Sequence, residues 1–228
     1  MNKRNYMKEL EAVTEEFKAE FKAEGKTPRL LLQVCCAPCS SHCLEYLREH
    51  FLVTVFYYNP NISEQAEFEK RKEEELRLIR EYNRQVREQD FSGMHSTPSA
   101  HLIEVMDCPY DNEKYEEAVR GLEECPEGGD RCGVCFRLRL RETARAAAEG
   151  GFDYFTTTLT ISPLKNADRL NAIGEEAAAE FGTAFLPSDF KKRDGYKRSI
   201  ELSSQFGLYR QNYCGCKYSR RAAKQEQQ

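Results

Sequence analysis

The chain has 228 residues, of which 40% are hydrophobic and 32% charged, with a formal net charge of −4 and ten cysteines. That length suits one domain able to bury its own core without disulfides. Met1 to Lys26 is strongly charged and lacks the apolar stretch of a signal peptide, and runs such as Leu52-Val53-Thr54-Val55-Phe56 are too short to cross a bilayer, so a cytoplasmic protein with no membrane partner is expected.

Tyr6, Leu10, Val13, Phe17 and Phe21 recur at steps of four and three, the pattern of an amphipathic helix that Gly25 and Pro28 end. Leu30 to Val34 reads as a buried strand that delivers Cys35 and Cys36 at its C-terminal end. Pro38 and Ser40-Ser41 suit a turn into a helix running to Glu49. The next strand, Leu52 to Tyr58, is closed by Asn59-Pro60-Asn61. A charge-laden helix is expected from Glu64 to Arg87, a loop from Phe91 to Ala100, and a short strand from Leu102 to Met106. Tyr115, Ala118, Val119 and Leu122 follow helical spacing until Pro126-Glu127-Gly128-Gly129 breaks it, and another helix runs from near Cys132 to Ala148. Tyr154 to Ile161 reads as a strand, Leu170, Ile173, Ala177 and Phe181 mark a helix, Ala184 to Leu186 is a last short strand, and helical segments close the chain. Strands alternating with helices imply an α/β fold, a parallel sheet flanked by helices. The expected organisation is a single catalytic domain over 1–228, with 1–28 an N-terminal helical extension. Sites in such folds lie at the carboxyl ends of strands, where the first cysteines fall.

Seven cysteines form three clusters: Cys35-Cys36-Ala37-Pro38-Cys39, Cys132-Gly133-Val134-Cys135 and Cys214-Gly215-Cys216. Thiolates grouped this way bind zinc or iron–sulfur or do redox chemistry, and together they exceed what one metal centre needs. At a strand-to-loop transition Cys35 and Cys36 can turn toward one centre, although in a regular strand they alternate. Cys132 and Cys135, at i and i+3, present both thiolates on one side. Two plus two makes the four thiolates of an iron–sulfur cluster; structural zinc takes the same set, but the 92 residues between Cys39 and Cys132 do not suit a small zinc module. A disulfide between Cys214 and Cys216 closes a very small ring and is readily reduced, the mark of a catalytic pair; a second metal or two inert thiols flanking a turn are the alternatives. Cys43, Cys108 and Cys125 stand alone and read as packing residues, and the four histidines have no metal-ligand spacing.

The charge is unevenly spread. Residues 187–228 carry ten Lys/Arg against four Asp/Glu, and residues 131–145 carry five Arg against one Glu. A positive surface around a site suits a polyanionic substrate, although solvated helix faces give the same pattern. Arg137, Arg141 and Arg145 form one stripe at four-residue steps, and Lys191-Lys192-Arg193 and Arg198 follow Asp189. These are candidate phosphate contacts. Asp189 is a candidate proton donor or oxygen ligand, with salt-bridging to its basic neighbours the plainer reading. Tyr209, Tyr213 and Tyr218 lie among Arg210, Lys217, Arg220 and Arg221, an interleaving that suits stacking on unpaired bases.

The matching segments are Cys-Cys-Ala-Pro-Cys-Ser at 35–40, Tyr-Tyr-Asn-Pro-Asn-Ile at 57–62, Pro-Tyr-Asp at 109–111, and Pro-Glu-Gly-Gly at 126–129 with Arg-Cys and Cys at 131–135. Thr-Thr-Thr-Leu with Ile-Ser-Pro at 156–163, Asp-Phe-Lys-Lys at 189–192 and Tyr-Arg-Gln-Asn-Tyr-Cys-Gly-Cys at 209–216 follow. In this order they resemble the QueH family of epoxyqueuosine reductases, from residue 30 to 220. The resemblance implies a HUP-like, Rossmann-like fold and reduction of epoxyqueuosine to queuosine at the wobble position of tRNA, with electrons from a donor the sequence does not identify. It implies that Cys35, Cys36, Cys132 and Cys135 ligate a [4Fe–4S] cluster and that Cys214 and Cys216 are the redox-active pair, an adjacent mononuclear iron and Cys39 being further candidates for the metal site. Gln33-Val34 departs from the family pattern, where a His-Ser or similar pair is expected. Two rivals stand beside this reading. An ATP-dependent tRNA thiolase of similar fold needs a Ser/Gly-rich phosphate loop where this chain has Cys-Cys-Ala-Pro-Cys, and a non-catalytic zinc scaffold needs only the thiols.

Overall fold

The computed structural model describes residues 4–220, and within the first helix the side chains up to Phe17. The side chain of Phe21 and the whole of Arg221, both singled out above, lie outside what is described. Four parallel strands, β1 (Arg29–Gln33), β2 (Leu52–Phe56), β3 (Glu104–Met106) and β4 (Tyr154–Thr157), form one sheet in the order β3-β2-β1-β4. Seven α-helices accompany them among the described residues: α1 (Tyr6–Glu24), α2 (Ala37–Leu47), α3 (Gln65–Glu88), α4 (Asn112–Ala118), α5 (Asp130–Glu149), α6 (Ala167–Phe181) and α7 (Gly195–Gln205). The α/β arrangement is the one the alternation of patterns implies. No described helix is long and apolar enough to cross a membrane.

The pleat sorts the core onto two faces. Leu30, Leu32, Val53 and Val55 pack with side chains of α1, α2 and α3, while Leu31, Phe56 and Phe155 pack with those of α5 and α6. Leu10 and Phe17 of α1 enter the first cluster, and Phe17 meets Phe51 and Tyr154 edge-on with centroids 5.5 and 5.4 Å apart. Burial of such side chains contributes roughly 1.5–3 kcal/mol each, so α1 is part of the core of this sheet.

Four expected strands are shorter than their patterns: Leu52–Tyr58 ends at Phe56, Leu102–Met106 begins at Glu104, and two change more. The Tyr154–Ile161 run stops as a strand at Thr157, because the Thr157 hydroxyl accepts from Leu159 N at 3.1 Å and caps a 3-10 turn over Thr158–Ile161. Ala184–Leu186 makes a single parallel bridge, Phe155 to Phe185, rather than a strand. Both changes leave backbone at the carboxyl edge of the sheet free to form loops. Gln33, the departure from the family pattern, is fully buried there and ties three strands together. Its Nε2 donates to Val34 O at 2.9 Å and Tyr58 O at 3.0 Å, and its Oε1 accepts from the Thr157 hydroxyl at 2.7 Å.

Candidate metal centre

All three cysteine clusters come to the carboxyl edge of the sheet. The first follows β1. Cys36 is the N-cap of α2, with Pro38 in the first turn and the N–H groups of Cys39 and Ser40 both on Cys36 O at 3.0 Å. The turn into the helix swings Cys39 back, and the ligand atoms of Cys35, Cys36 and Cys39 all lie within 4.8 Å of one another, the Cys35–Cys36 sulfurs being 3.8 Å apart. Hydrogen bonds from the Cys36 and Cys39 thiols hold Cys35 well below the ordinary thiol range, and the same bonds to Cys35 push Cys36 and Cys39 up. One thiolate stabilised by its neighbours is a ready ligand for a soft metal.

Cys132 and Cys135 occupy the first turns of α5, whose N-cap is Gly129. Gly128 N donates to Cys132 Sγ at 3.2 Å. Gly133 between them admits the Arg169 guanidinium, since a Cβ there would stand 1.8 Å from Arg169 Nη2. Arg169 in turn fastens the Pro126–Gly129 loop through Gly128 O and Gly129 O at 3.0 Å each. Burial raises both thiols, Cys135 to about 12. The positive ends of α2 and α5 both face thiols, which favours thiolate once a cation is bound.

The third cluster folds back from the far end of the chain. Gly215 has φ +118°, and a Cβ there would stand 2.9 Å from Ile62 and 3.3 Å from Arg71, so this turn takes glycine alone. Cys214 N donates to the Ser219 hydroxyl at 2.7 Å, Asn61 Nδ2 donates to Cys214 O at 3.4 Å, and Ser63 N donates to Gly215 O at 3.2 Å. Cys135 and Cys216 share a small buried cluster with Tyr115 and Tyr218. One pocket is lined by Cys132, Cys135, Cys214 and Cys216 together, and an adjoining cleft of about 540 Å³ by Cys35, Cys39 and Cys214. All ten thiols are free.

A profile of the family described as epoxyqueuosine reductase QueH matches residues 30–222. Proteins named epoxyqueuosine reductase QueH are similar over most of their length. That of Streptococcus pyogenes serotype M1 is 42% identical over 192 residues, 84% of this chain and 70% of the relative. That of Staphylococcus epidermidis is 34% identical over 217 residues, 94% and 84%. That of Thermotoga maritima is 33% identical over 190 residues, 83% and 89%. The chain belongs to the QueH family. Its relatives are oxidoreductases by name, and this chain is an enzyme of that class.

The residues around the thiols fit the iron–sulfur group that QueH membership implies. Arg139 is only 1% exposed, its Nη2 donates to Asn59 Oδ1 at 2.5 Å, and its Nε has no hydrogen-bond partner. It has no carboxylate partner among the described residues. Burial works against its charge, but Cys135, Cys35 and Cys214 hold it protonated. Lys165 is half-buried and is held charged, against its burial, by Cys214, Cys35 and Cys39. A buried cation without a carboxylate costs several kcal/mol, and an anionic centre of thiolates supplies the missing charge.

The other predicted site residues stand apart from the thiols. Asp189 is 8% exposed, forms an ion pair with Lys191 Nζ at 2.5 Å, and lines neither thiol cavity. Arg198 bonds Glu45 at 2.7 Å and Gly93 O at 3.0 Å. Arg193 pairs with Glu11 at 3.0 Å, Arg137 with Glu176 at 3.8 Å, and Arg141 with Glu180. Lys192 is exposed and without an ion pair among the described residues. Sequence reasoning passed over Arg139, Lys165, Asn59 and Asn61. A usable signal existed for Arg139: it lies two residues out of step with the Arg137–Arg141–Arg145 stripe and so falls on the apolar face of α5, beside Phe136 and Leu140.

Proposed function

We propose that this chain reduces epoxyqueuosine at the wobble position of a tRNA anticodon to queuosine, using a metal centre held by its clustered cysteines. The meeting of the three clusters carries the reading: Cys214 lines both the pocket of Cys132, Cys135 and Cys216 and the cleft of Cys35 and Cys39, so thiols from three segments far apart in sequence share one place. Cys35, Cys36, Cys132 and Cys135 would hold a [4Fe–4S] cluster, with Cys214 and Cys216 the redox-active pair. Cys39 would be a further ligand, to the cluster or to a mononuclear iron beside it.

Bound, the cluster supplies electrons one at a time. The remaining work falls to the protein. Anticodon nucleotides are reached as unstacked bases held by aromatic and basic side chains. The 540 Å³ cleft, lined by Tyr196, Tyr213, Arg71 and Arg210 as well as Cys35, Cys39 and Cys214, has the size and lining for one base beside the thiols. Asn61 and Arg71 fix the Cys214 carbonyl, at 3.4 and 3.3 Å, so the third cluster is aimed at the cleft. Lys192 is available to the phosphates of tRNA, and Arg193 and the exposed arginines of α5 would reach them by exchanging their surface ion pairs. The electrons come from a separate donor.

Expression in a bacterial strain whose tRNA accumulates epoxyqueuosine tests the proposal. Queuosine should replace epoxyqueuosine in the nucleoside digest, and an unchanged digest with the protein present at normal levels would count against it.

A further inference from the structure

The pocket holding Cys132, Cys135, Cys214 and Cys216 and the cleft holding Cys35 and Cys39 share five lining residues: Glu127, Leu164, Lys165, Cys214 and Ser219. Leu164 and Lys165 belong to the loop between the 3-10 turn and α6, which closes with Lys165 N on Ser162 O at 3.2 Å. Of the five, Lys165 alone is cationic. The Ser219 hydroxyl is already engaged by Cys214 N at 2.7 Å. Two other cations line the cleft, and both carry other hydrogen bonds: Arg71 to Glu67 at 2.7 Å and Cys214 O at 3.3 Å, with its buried Nη2 unpartnered, and Arg210 to the Ser203 hydroxyl at 2.9 Å. Lys165 has no carboxylate partner among the described residues, and it lines both cavities.

Deoxygenating an epoxide breaks both C–O bonds, takes up two electrons and two protons, and yields an alkene and water. Negative charge builds on the oxygen when the first C–O bond opens. A donor fixed at that oxygen stabilises the transition state more than the ground state. A carboxylate would oppose the charge, and Asp189 is in any case ion-paired with Lys191 outside both cavities.

We infer that Lys165 is the cationic hydrogen-bond donor that grips the epoxide oxygen as it leaves, at the point where the two cavities meet. This rests on the function proposed above. The two electrons come from the reductant the reaction consumes, and the two protons that complete water come from solvent. Lys165 keeps its own proton and stabilises the charge on oxygen in between.

The test compares wild type with Lys165→Met and Lys165→Arg in anaerobic, iron- and sulfide-loaded enzyme acting on epoxyqueuosine-tRNA. Lys165→Met should lower kcat by roughly 10²–10³-fold, as loss of one such donor does. KM, tRNA affinity, iron and sulfide should stay within about twofold of wild type, because Lys165 acts after binding. Lys165→Arg should recover part of kcat, since it keeps charge and donors but not position. A near-normal kcat in Lys165→Met overturns the inference. So does a fall in tRNA affinity with kcat kept, which makes Lys165 a phosphate anchor, and so does a loss of iron and sulfide large enough to account for the fall in kcat, which leaves Lys165 only its charge-balancing part toward the thiols. A loaded wild type that leaves epoxyqueuosine-tRNA unchanged would overturn the proposed function itself, and this inference with it.

Discussion

Glu75 lies on the inner face of α3, 1% exposed, with both carboxyl oxygens accepting from the Ser40 hydroxyl at 2.6 and 2.8 Å. Burial raises its carboxyl from 4.5 to about 8; Ser40 opposes the shift and Cys35 adds to it. At neutral pH it is mostly a neutral acid, which spares the neighbouring Cys35–Cys39 loop a second negative charge. The folded state therefore binds the proton more tightly than the unfolded chain. The stability this contributes is whole below pH 4.5, drains away as pH rises, and is gone above about pH 8. At 1.36 kcal/mol per unit the full window is worth on the order of 5 kcal/mol, and the span from pH 5.5 to 7.5 roughly 2–3 kcal/mol. Glu75→Gln keeps the shape and the acceptor for Ser40 but titrates nothing. Urea unfolding of reduced, metal-free wild type and variant at several pH values should give a stability difference that moves in the variant's favour by that amount between pH 5.5 and 7.5. Taking the difference cancels Cys35, whose lowered value acts in the opposite direction. The loaded variant should keep its iron, sulfide and turnover. A difference that stays constant across this range would refute the reasoning.

Cys132→Ala or Cys135→Ala should abolish assembly of an oxygen-sensitive brown centre with acid-labile sulfide, since each removes a quarter of the proposed thiolates; stoichiometric zinc with no iron or sulfide after reconstitution would defeat that expectation. Cys214→Ser or Cys216→Ser should leave iron and sulfide in place and stop conversion of epoxyqueuosine-tRNA, as read by nucleoside analysis. Loss of the cluster would make them ligands, and loss of one iron with sulfide unchanged would point to a mononuclear iron, with Cys39 the next ligand to test. Affinity for tRNA should fall steeply with salt, and joint replacement of Lys191, Lys192 and Arg193 by Ala should weaken it with cluster absorbance intact; binding indifferent to salt would make these ordinary solvated faces.

Local patterns carried the architecture. Near-continuous apolar runs at Leu30–Val34 and Leu52–Tyr58 and the apolar stripe through Tyr6, Leu10, Val13 and Phe17 matched β1, β2 and α1 closely, because each element is decided by its own burial pattern. The Thr156–Thr160 region misled, since β-branched residues favour strands while here their hydroxyls cap a 3-10 turn and bond Gln33, Leu186 and Ser188. Cysteine clustering marked the site, but its support is long-range and left no local trace: Asn61 reaches Cys214 across 153 residues, and Asn59 joins Val34 to Arg139. Charge was the least legible feature. Arg198 looks in sequence like a phosphate contact and is bound to Glu45, whereas Arg139 and Glu75, lost among many charges, are buried beside the thiols.

The most direct measurement is a single-turnover reaction of purified, anaerobic, iron- and sulfide-loaded protein with a chemical reductant and tRNA bearing epoxyqueuosine. Queuosine should form in proportion to loaded protein, and the metal-free protein should form none. Epoxyqueuosine left intact by fully loaded, reduced protein that binds the tRNA would contradict the account.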